Sequence, residues 1–312
     1  MAIHALSQHF TSFFRRLNPG TSFEATASSQ YNTIKDLIEN PKGPAAALSP
    51  VCFLQGSYRQ QTAIYSINDV DIVTLCRLWQ PGSGGTGTRS FGRNEIFDIV
   101  AAPLKADRRY ALKVRYGPQS MCIKVDLGIK VEILPVVYKT GNNDALHEPF
   151  RLYRPEKVDW EDGYARFHQQ WLSWKNNQDK TGGTLIPMIK VMKHLRSLHG
   201  LNAVSFHIEC LLFSLSDSLF GGSSADYIPG VLQHIARQDA TILYKRVCNT
   251  PCGERDIFTG SEWTLDSWLQ FHKATVGWAL YAQAARDAQD KTVAIRLWRM
   301  LLGGDYFPEQ PA

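Results

Sequence analysis

The 312-residue chain has no run of about 18 apolar residues, so no membrane-spanning helix is expected. Its amino terminus lacks an early basic region followed by a continuous apolar stretch, and no secretory leader is expected. Cysteine is sparse, with six residues at positions 52, 76, 122, 210, 248 and 252. They are scattered through apolar segments without the spacing of a disulfide scaffold, which predicts buried free thiols in a cytoplasmic protein. A strong excess of one charge is missing as well. The formal net charge of +5 suits a polyanionic ligand such as a nucleotide but is too small to mark a dedicated nucleic-acid binder. With 44% hydrophobic and 20% charged residues, the chain is not mainly disordered.

Further absences narrow the chemistry. The glycine-rich QPGSGGTGTRSFGRN at 80–94 does not end in the Lys-Ser/Thr of a phosphate-binding P-loop and reads as a surface loop. Cys248 and Cys252 in VCNTPCGERD have no histidine at finger spacing, which argues against zinc. His207 and Glu209 lie two residues apart and cannot share a helix face, and His194 and His199 miss the four-residue spacing. No internal repeat is present.

The length exceeds one ordinary hydrophobic core and predicts two lobes. Ile3, Leu6, Phe10, Phe13, Phe14 and Leu17 recur at helical spacing before the breaker NPG. A second helix opens at Thr21, with Glu24 placed to complete a capping box. VCFLQ (51–55), DVDIVTL (69–75) and a hairpin within 120–137, turning at Asp126-Leu127-Gly128, predict one mixed sheet. After residue 150 strand signals fade. Tyr164, Phe167, Trp171 and Trp174 mark one helix, and Leu185, Ile189, Met192 and Leu195 the next. Further helical patterns cover roughly 204–219, 226–237, 261–289 and 290–302. The expectation is an α+β protein, with a mixed-sheet lobe over 1–150, a helical lobe over 151–312, and a ligand cleft between them.

Two acids interrupt the strand NDVDIV. Alternation places Asp69 and Asp71 on one side and Val70 and Ile72 on the other. Neighbouring carboxylates raise each other's pKa unless a cation neutralises them, and Mg²⁺ favours such hard oxygen ligands. A third acid could come from Asp126 or Glu132. Asp126 is explained by the turn it occupies, whereas Glu132 interrupts a strand, VEILPVV, and is the better candidate. Taken alone, a D-V-D pattern more often marks a solvent-facing strand. Gly56-Ser57 just upstream adds a turn able to aim backbone N–H groups and a hydroxyl at a triphosphate.

QGSYRQQTAI, NDVDIV and VEILPVV together resemble the nucleotidyltransferase superfamily. The branch is that of oligoadenylate synthases, cyclic GMP-AMP synthase and the bacterial cyclic-oligonucleotide synthases of antiphage defence. The likeness extends through LIPMIKVMKHLRSLHG and VSFHIECLL to AIRLWRMLLGGDYFP. It implies a polymerase-β-like catalytic lobe completed by the helical lobe. It also implies that Gly56 and Ser57 grip the donor triphosphate and that Asp69, Asp71 and Glu132 bind two Mg²⁺ ions, replaceable by Mn²⁺. Lys193 and Ser205 are implied on phosphate oxygens and Phe206 against a base. Relatives usually have Asp where Glu132 stands and often Tyr where Phe206 stands.

The implied activity joins nucleoside triphosphates into a cyclic or short linear second messenger, by a cytoplasmic monomer answering to an activating ligand or regulatory protein. Two other readings share the motif: a transferase that modifies RNA, a small molecule or a protein, and a nucleotide-binding module that does not catalyse. Without the resemblance, Lys193 reads as a solvated helix charge and Phe206 as core. Lys105, Arg108, Arg109, Lys113 and Arg115, interleaved with Tyr110 and Tyr116, could follow a nucleic-acid backbone. Lys113 and Arg115 alternate with Leu112 and Val114, however, which favours the wet side of a half-buried strand.

Overall fold

The computed structural model describes residues 1–67, 69–79, 91–139, 148–245, 249–253, 257–258 and 263–311. Most of the glycine-rich segment and Cys248 lie outside the described residues. The chain forms two compact units, one of residues 1–19, 62–65 and 170–312 and the other of 20–61 and 66–169. The expected boundary at 150 thus falls at 169–170, and the first helix belongs with the helical unit. Its apolar stripe explains this: Phe10, Phe13 and Leu17 are buried in the core formed by the carboxy-terminal helices.

The sheet unit contains strands β1 (Pro50–Gln55), β2 (Asp69–Cys76), β3 (Val114–Arg115), β4 (Ile123–Asp126), β5 (Lys130–Val137), β6 (Phe150–Arg154) and β7 (Asp159–Gly163). They form one mixed sheet in the order β1-β2-β5-β4-β3, with β6 also paired to β5 and β7 to β6. Among the described residues, β2 and β5 are the one parallel pair. Strands β6 and β7 were not expected after residue 150. Their sequence, FRLYRPEKVDWEDG, is rich in charge, and tertiary pairing to β5 overrides weak strand propensity.

Helices Thr21–Ile38 and Arg93–Ala106 cover one face of this sheet. Ala27, Ile34, Ile38, Ile96, Phe97 and Val100 pack there with Val70, Ile72, Val131 and Ile133. The opposite face carries a smaller apolar cluster of Phe53, Val73, Leu75, Val136 and Phe150. Thr21 does not cap its helix. Gly20 holds the cap position, its carbonyl accepting from Glu24 N–H, so the Thr21–Glu24 capping box does not form. The hairpin turns as expected, with Gly128 at φ +89, where glycine carries no Cβ penalty.

The helical unit is built mainly from Ser7–Leu17, Leu185–Leu198, Ser205–Ser214, Ser224–Ala236, Leu265–Asp287 and Lys291–Leu302. Trp263, Trp268, Trp298, Phe10 and Phe271 fill its core. Asp290 caps the last helix, accepting from the N–H groups of Thr292 and Val293. Helix Ala165–Lys175 turns inward a different face from the expected one. Leu172 and Lys175 are buried, while Trp171 and Trp174 stay 43% and 44% exposed. Among the described residues no helix is long and apolar enough to cross a membrane.

Candidate active site

Strand alternation and register bring the acids together. Along the start of β2, Val70 and Ile72 are fully buried in the helix-covered core, so Asp69 and Asp71 point to the other face. Strand β5 lies parallel to β2 with Asp71 opposite Glu132 and Asp69 opposite Lys130. Residues in register on parallel strands share a face about 4.8 Å apart. Asp69, Asp71 and Glu132 therefore stand on the same face as Val73, Leu75 and Val136, beyond the end of that small apolar cluster.

The electrostatics match. The carboxyl of Asp71 is pushed up to about 7, first by burial and then by the negative charges of Asp69 and Glu132. A carboxyl in that state lacks a positive partner. Glu132 has one: Lys124 Nζ lies 3.1 Å from its Oε1. The Cys122 thiol donates to its Oε2 at 3.4 Å. That thiol is itself pushed up to about 12, by burial and then by Glu132.

Gly56 follows β1 directly, with φ +72. Gln55 pairs with Asp71, so the chain enters the turn Gly56–Arg59 alongside that acid. A Cβ at Gly56 would fall 1.9 Å from Asp71 Oδ2. The space left by the missing side chain is thus filled by a carboxylate, and Ser57 is the second residue of this single helical turn.

This donor set suits a hard divalent cation, because its oxygens are uncompensated at Asp71 and share one face. Asp69 and Asp71 are available for it. Among the described residues, no three His, Cys, Asp or Glu side chains form a ready metal cluster, and Glu132 is drawn to Lys124 and Cys122 instead.

Residues 5–176, more than half of the chain, match the model of the second messenger oligonucleotide or dinucleotide synthetase domain, SMODS. The chain belongs to this family. A cyclic UMP-AMP synthase of Rhodothermus marinus is 27% identical over 252 residues, covering 75% of this chain and 84% of that protein. The solved Rhodothermus marinus CdnE c-UMP-AMP synthase, with Apcpp and Upnpp, aligns at TM-score 0.67 and 21% identity over 91% of this chain and 99% of that one. The Vibrio cholerae DncV cyclic AMP-GMP synthase with nonhydrolyzable GTP aligns at TM-score 0.71 and 13% identity over 97% of each chain. A complex of Escherichia coli MS115-1 CdnC with HORMA aligns at TM-score 0.70 and 15% identity over 97% of this chain and 98% of that one. The synthetase is therefore a nucleotidyltransferase that joins nucleoside triphosphates, and its family generally uses divalent metal ions.

The remaining residues implied by the resemblance lie in the helical unit. Lys193 is 2% exposed and its ammonium is engaged by Glu209 and Thr62. It is not a solvated helix charge, because a carboxylate brought in by helix Ser205–Ser214 neutralises it inside the core. Ser205 accepts from Arg196 Nη1 at 3.0 Å. Phe206 is half-buried against the helical core. Elsewhere, Leu112 is 94% exposed and only Val114–Arg115 form a strand, so the alternation expected for the basic segment does not extend back to Leu112.

Lys124 and Thr62 were not singled out from sequence, and Cys122 and Glu209 were named there only as a buried thiol and as half of a rejected metal pair. One of them was within reach: a hairpin turning at Asp126-Leu127-Gly128 pairs residue 126 with 130, and hence Lys124 with Glu132.

Proposed function

We propose that the synthetase forms a cyclic, or short linear, oligonucleotide second messenger with release of pyrophosphate, Asp69, Asp71 and Glu132 being its catalytic acids. The observation that carries this reading is the alignment of the three on one face, with Asp71 held against Gly56 and raised to about 7. Two Mg²⁺ ions, or Mn²⁺ in their place, would supply positive charge to the triphosphate and acidify the acceptor ribose hydroxyl there. Asp69 and Asp71 would hold them, with Glu132 joining once it leaves Lys124.

The chain's own part is positioning and charge. Gly56 lets the backbone and Asp71 meet closely, and Ser57 presents its hydroxyl and N–H where a triphosphate would lie. The acceptor hydroxyl oxygen bonds to an α-phosphorus, the bond from that phosphorus to pyrophosphate breaks, and the hydroxyl proton passes to solvent. Repeating the step within the linear product closes a ring. A cytoplasmic role in antiphage defence, under control of an activating ligand or a protein such as the HORMA partner of the Escherichia coli neighbour, completes the proposal.

The test is incubation with all four labelled triphosphates in Mg²⁺ or Mn²⁺, with and without double-stranded nucleic acid, followed by mass spectrometry. Pyrophosphate together with a product lacking a terminal phosphate supports cyclisation. Label transferred to added RNA or to another acceptor would replace the reading with a templated or acceptor-directed transferase. Triphosphate bound without pyrophosphate release would leave only a binding module.

A further inference from the structure

The fold buries a charged pair that the apolar core does not require. Glu209, on helix Ser205–Ser214, is 3% exposed, and its Oε1 accepts from Lys193 Nζ at 2.6 Å and from Thr62 Oγ1 at 2.6 Å. Lys193 Nζ also donates to Thr62 Oγ1 at 2.9 Å and to the Thr62 carbonyl at 3.2 Å. An ammonium has three protons, and these acceptors account for all of them.

Such a pair is a weak source of stability, because apolar side chains of similar volume commonly do as well. What apolar residues could not do is grip Thr62 through both its hydroxyl and its carbonyl. The segment that Thr62 opens is tied at its other end too. Tyr65 N–H donates to the Leu17 carbonyl at 2.7 Å, and its ring lies 4.6 Å from that of Tyr306. Ala63 and Ile64 between them are buried. In the chain this short tethered stretch lies between Ser57 and Asp69.

We propose that Glu209 is a positioning residue for the nucleotidyl-transfer site: with Lys193 as its counter-ion it clamps Thr62, and so fixes the course of the chain from the Gly56-Ser57 turn to the paired aspartates. Lys193 acts in this clamp, not as a phosphate ligand. The proposal rests on the reading that Asp69 and Asp71 carry catalysis.

The experiment uses the full chain carrying Thr62→Val or Glu209→Gln. Pyrophosphate release is followed kinetically, and hydrogen–deuterium exchange is read peptide by peptide. Each substitution is expected to lower kcat by about tenfold, the equivalent of one lost buried hydrogen bond, with KM for triphosphate changed less than about twofold. The double variant is expected to be no worse than the poorer single one, since both break one clamp. Exchange should rise across residues 58–67 and stay unchanged in helix Leu265–Asp287. Thr62→Val keeps the side-chain shape and serves if Glu209→Gln does not fold. Raised KM with unchanged kcat would overturn the proposal in favour of a phosphate-binding Lys193. Unchanged exchange at 58–67, or a rise everywhere, would also overturn it. Asp71→Ala is assayed in parallel: turnover surviving there sinks the catalytic reading itself, while the exchange result still decides whether the clamp exists.

Discussion

Gly56 and Asp71 occupy one space: a Cβ built on the glycine would lie 1.9 Å from Asp71 Oδ2. Gly56 also sits at φ +72, where an L side chain costs about 1–2 kcal/mol before any clash is counted. Gly56→Ala therefore adds strain and displaces the acid. Because a misplacement of about 1 Å at a reacting centre can cost about a hundredfold in rate, product formation is expected to fall by about that factor. Kinetics beside a thermal melt checks this: an active, undisturbed variant would show that the glycine makes no room for a working carboxylate.

Asp71 gives a pH prediction of definite sign. Its folded pKa of about 7 exceeds the ordinary 3.8, so between those values the folded state binds more protons than the unfolded. Stability without divalent metal is therefore highest below pH 4 as far as this group is concerned, and falls as pH rises to about 7. Over the full window the loss is at most ~4 kcal/mol. Asp71→Asn removes the burdened charge. In chelator at pH 8 it is expected to melt a few degrees above the parent chain, and denaturant titrations from pH 5 to 8 should show a flatter slope. Identical slopes would show that the burial is not felt. Mg²⁺ should stabilise the parent more at pH 8 than at pH 5.

The same acids are expected to separate fold from function. Asp69→Ala and Asp71→Ala each remove a cation ligand and relieve repulsion between neighbours. Turnover in Mg²⁺ should drop by more than about a thousandfold, since charge stabilisation by metal contributes several kcal/mol to such reactions. The far-ultraviolet circular dichroism should not change. Near-parental product from the double substitution would remove both residues from catalysis.

Much of the sheet unit was legible because period-two patterns are local. VCFLQ, DVDIV and the Asp126-Gly128 turn each state their own geometry, and register follows from the turn. The strand pair after residue 150 was not legible, since its residues are paired mainly by what β5 offers them. The inward face of Ala165–Lys175 was misread for a related reason. Trp171 and Trp174 are the largest residues there, yet the fold buries Leu172 and Lys175 instead, the lysine ammonium donating to the Leu215 carbonyl. Lys193 shows the limit most plainly. One helix supplies the lysine, another supplies Glu209, and no spacing rule within either reveals the pair.

Lys124 offers the last and sharpest check on Glu132. The two are cross-strand partners with Nζ 3.1 Å from Oε1, and the lysine side chain is 64% exposed. An exposed pair of this kind stabilises little, so Lys124→Met is expected to change unfolding free energy by less than about 1 kcal/mol. Its effect should appear in metal binding. While Lys124 holds Glu132, a divalent cation must displace an ammonium to gain the third carboxylate. Removing the ammonium should lower the Mg²⁺ concentration for half-maximal activity by up to about fivefold, the equivalent of ~1 kcal/mol. Mg²⁺ binding measured by calorimetry in the absence of nucleotide should tighten in the same direction. If both stay at parental values in Lys124→Met while Glu132→Ala also leaves them unchanged, Glu132 is no metal ligand, and the two aspartates must find their third partner elsewhere.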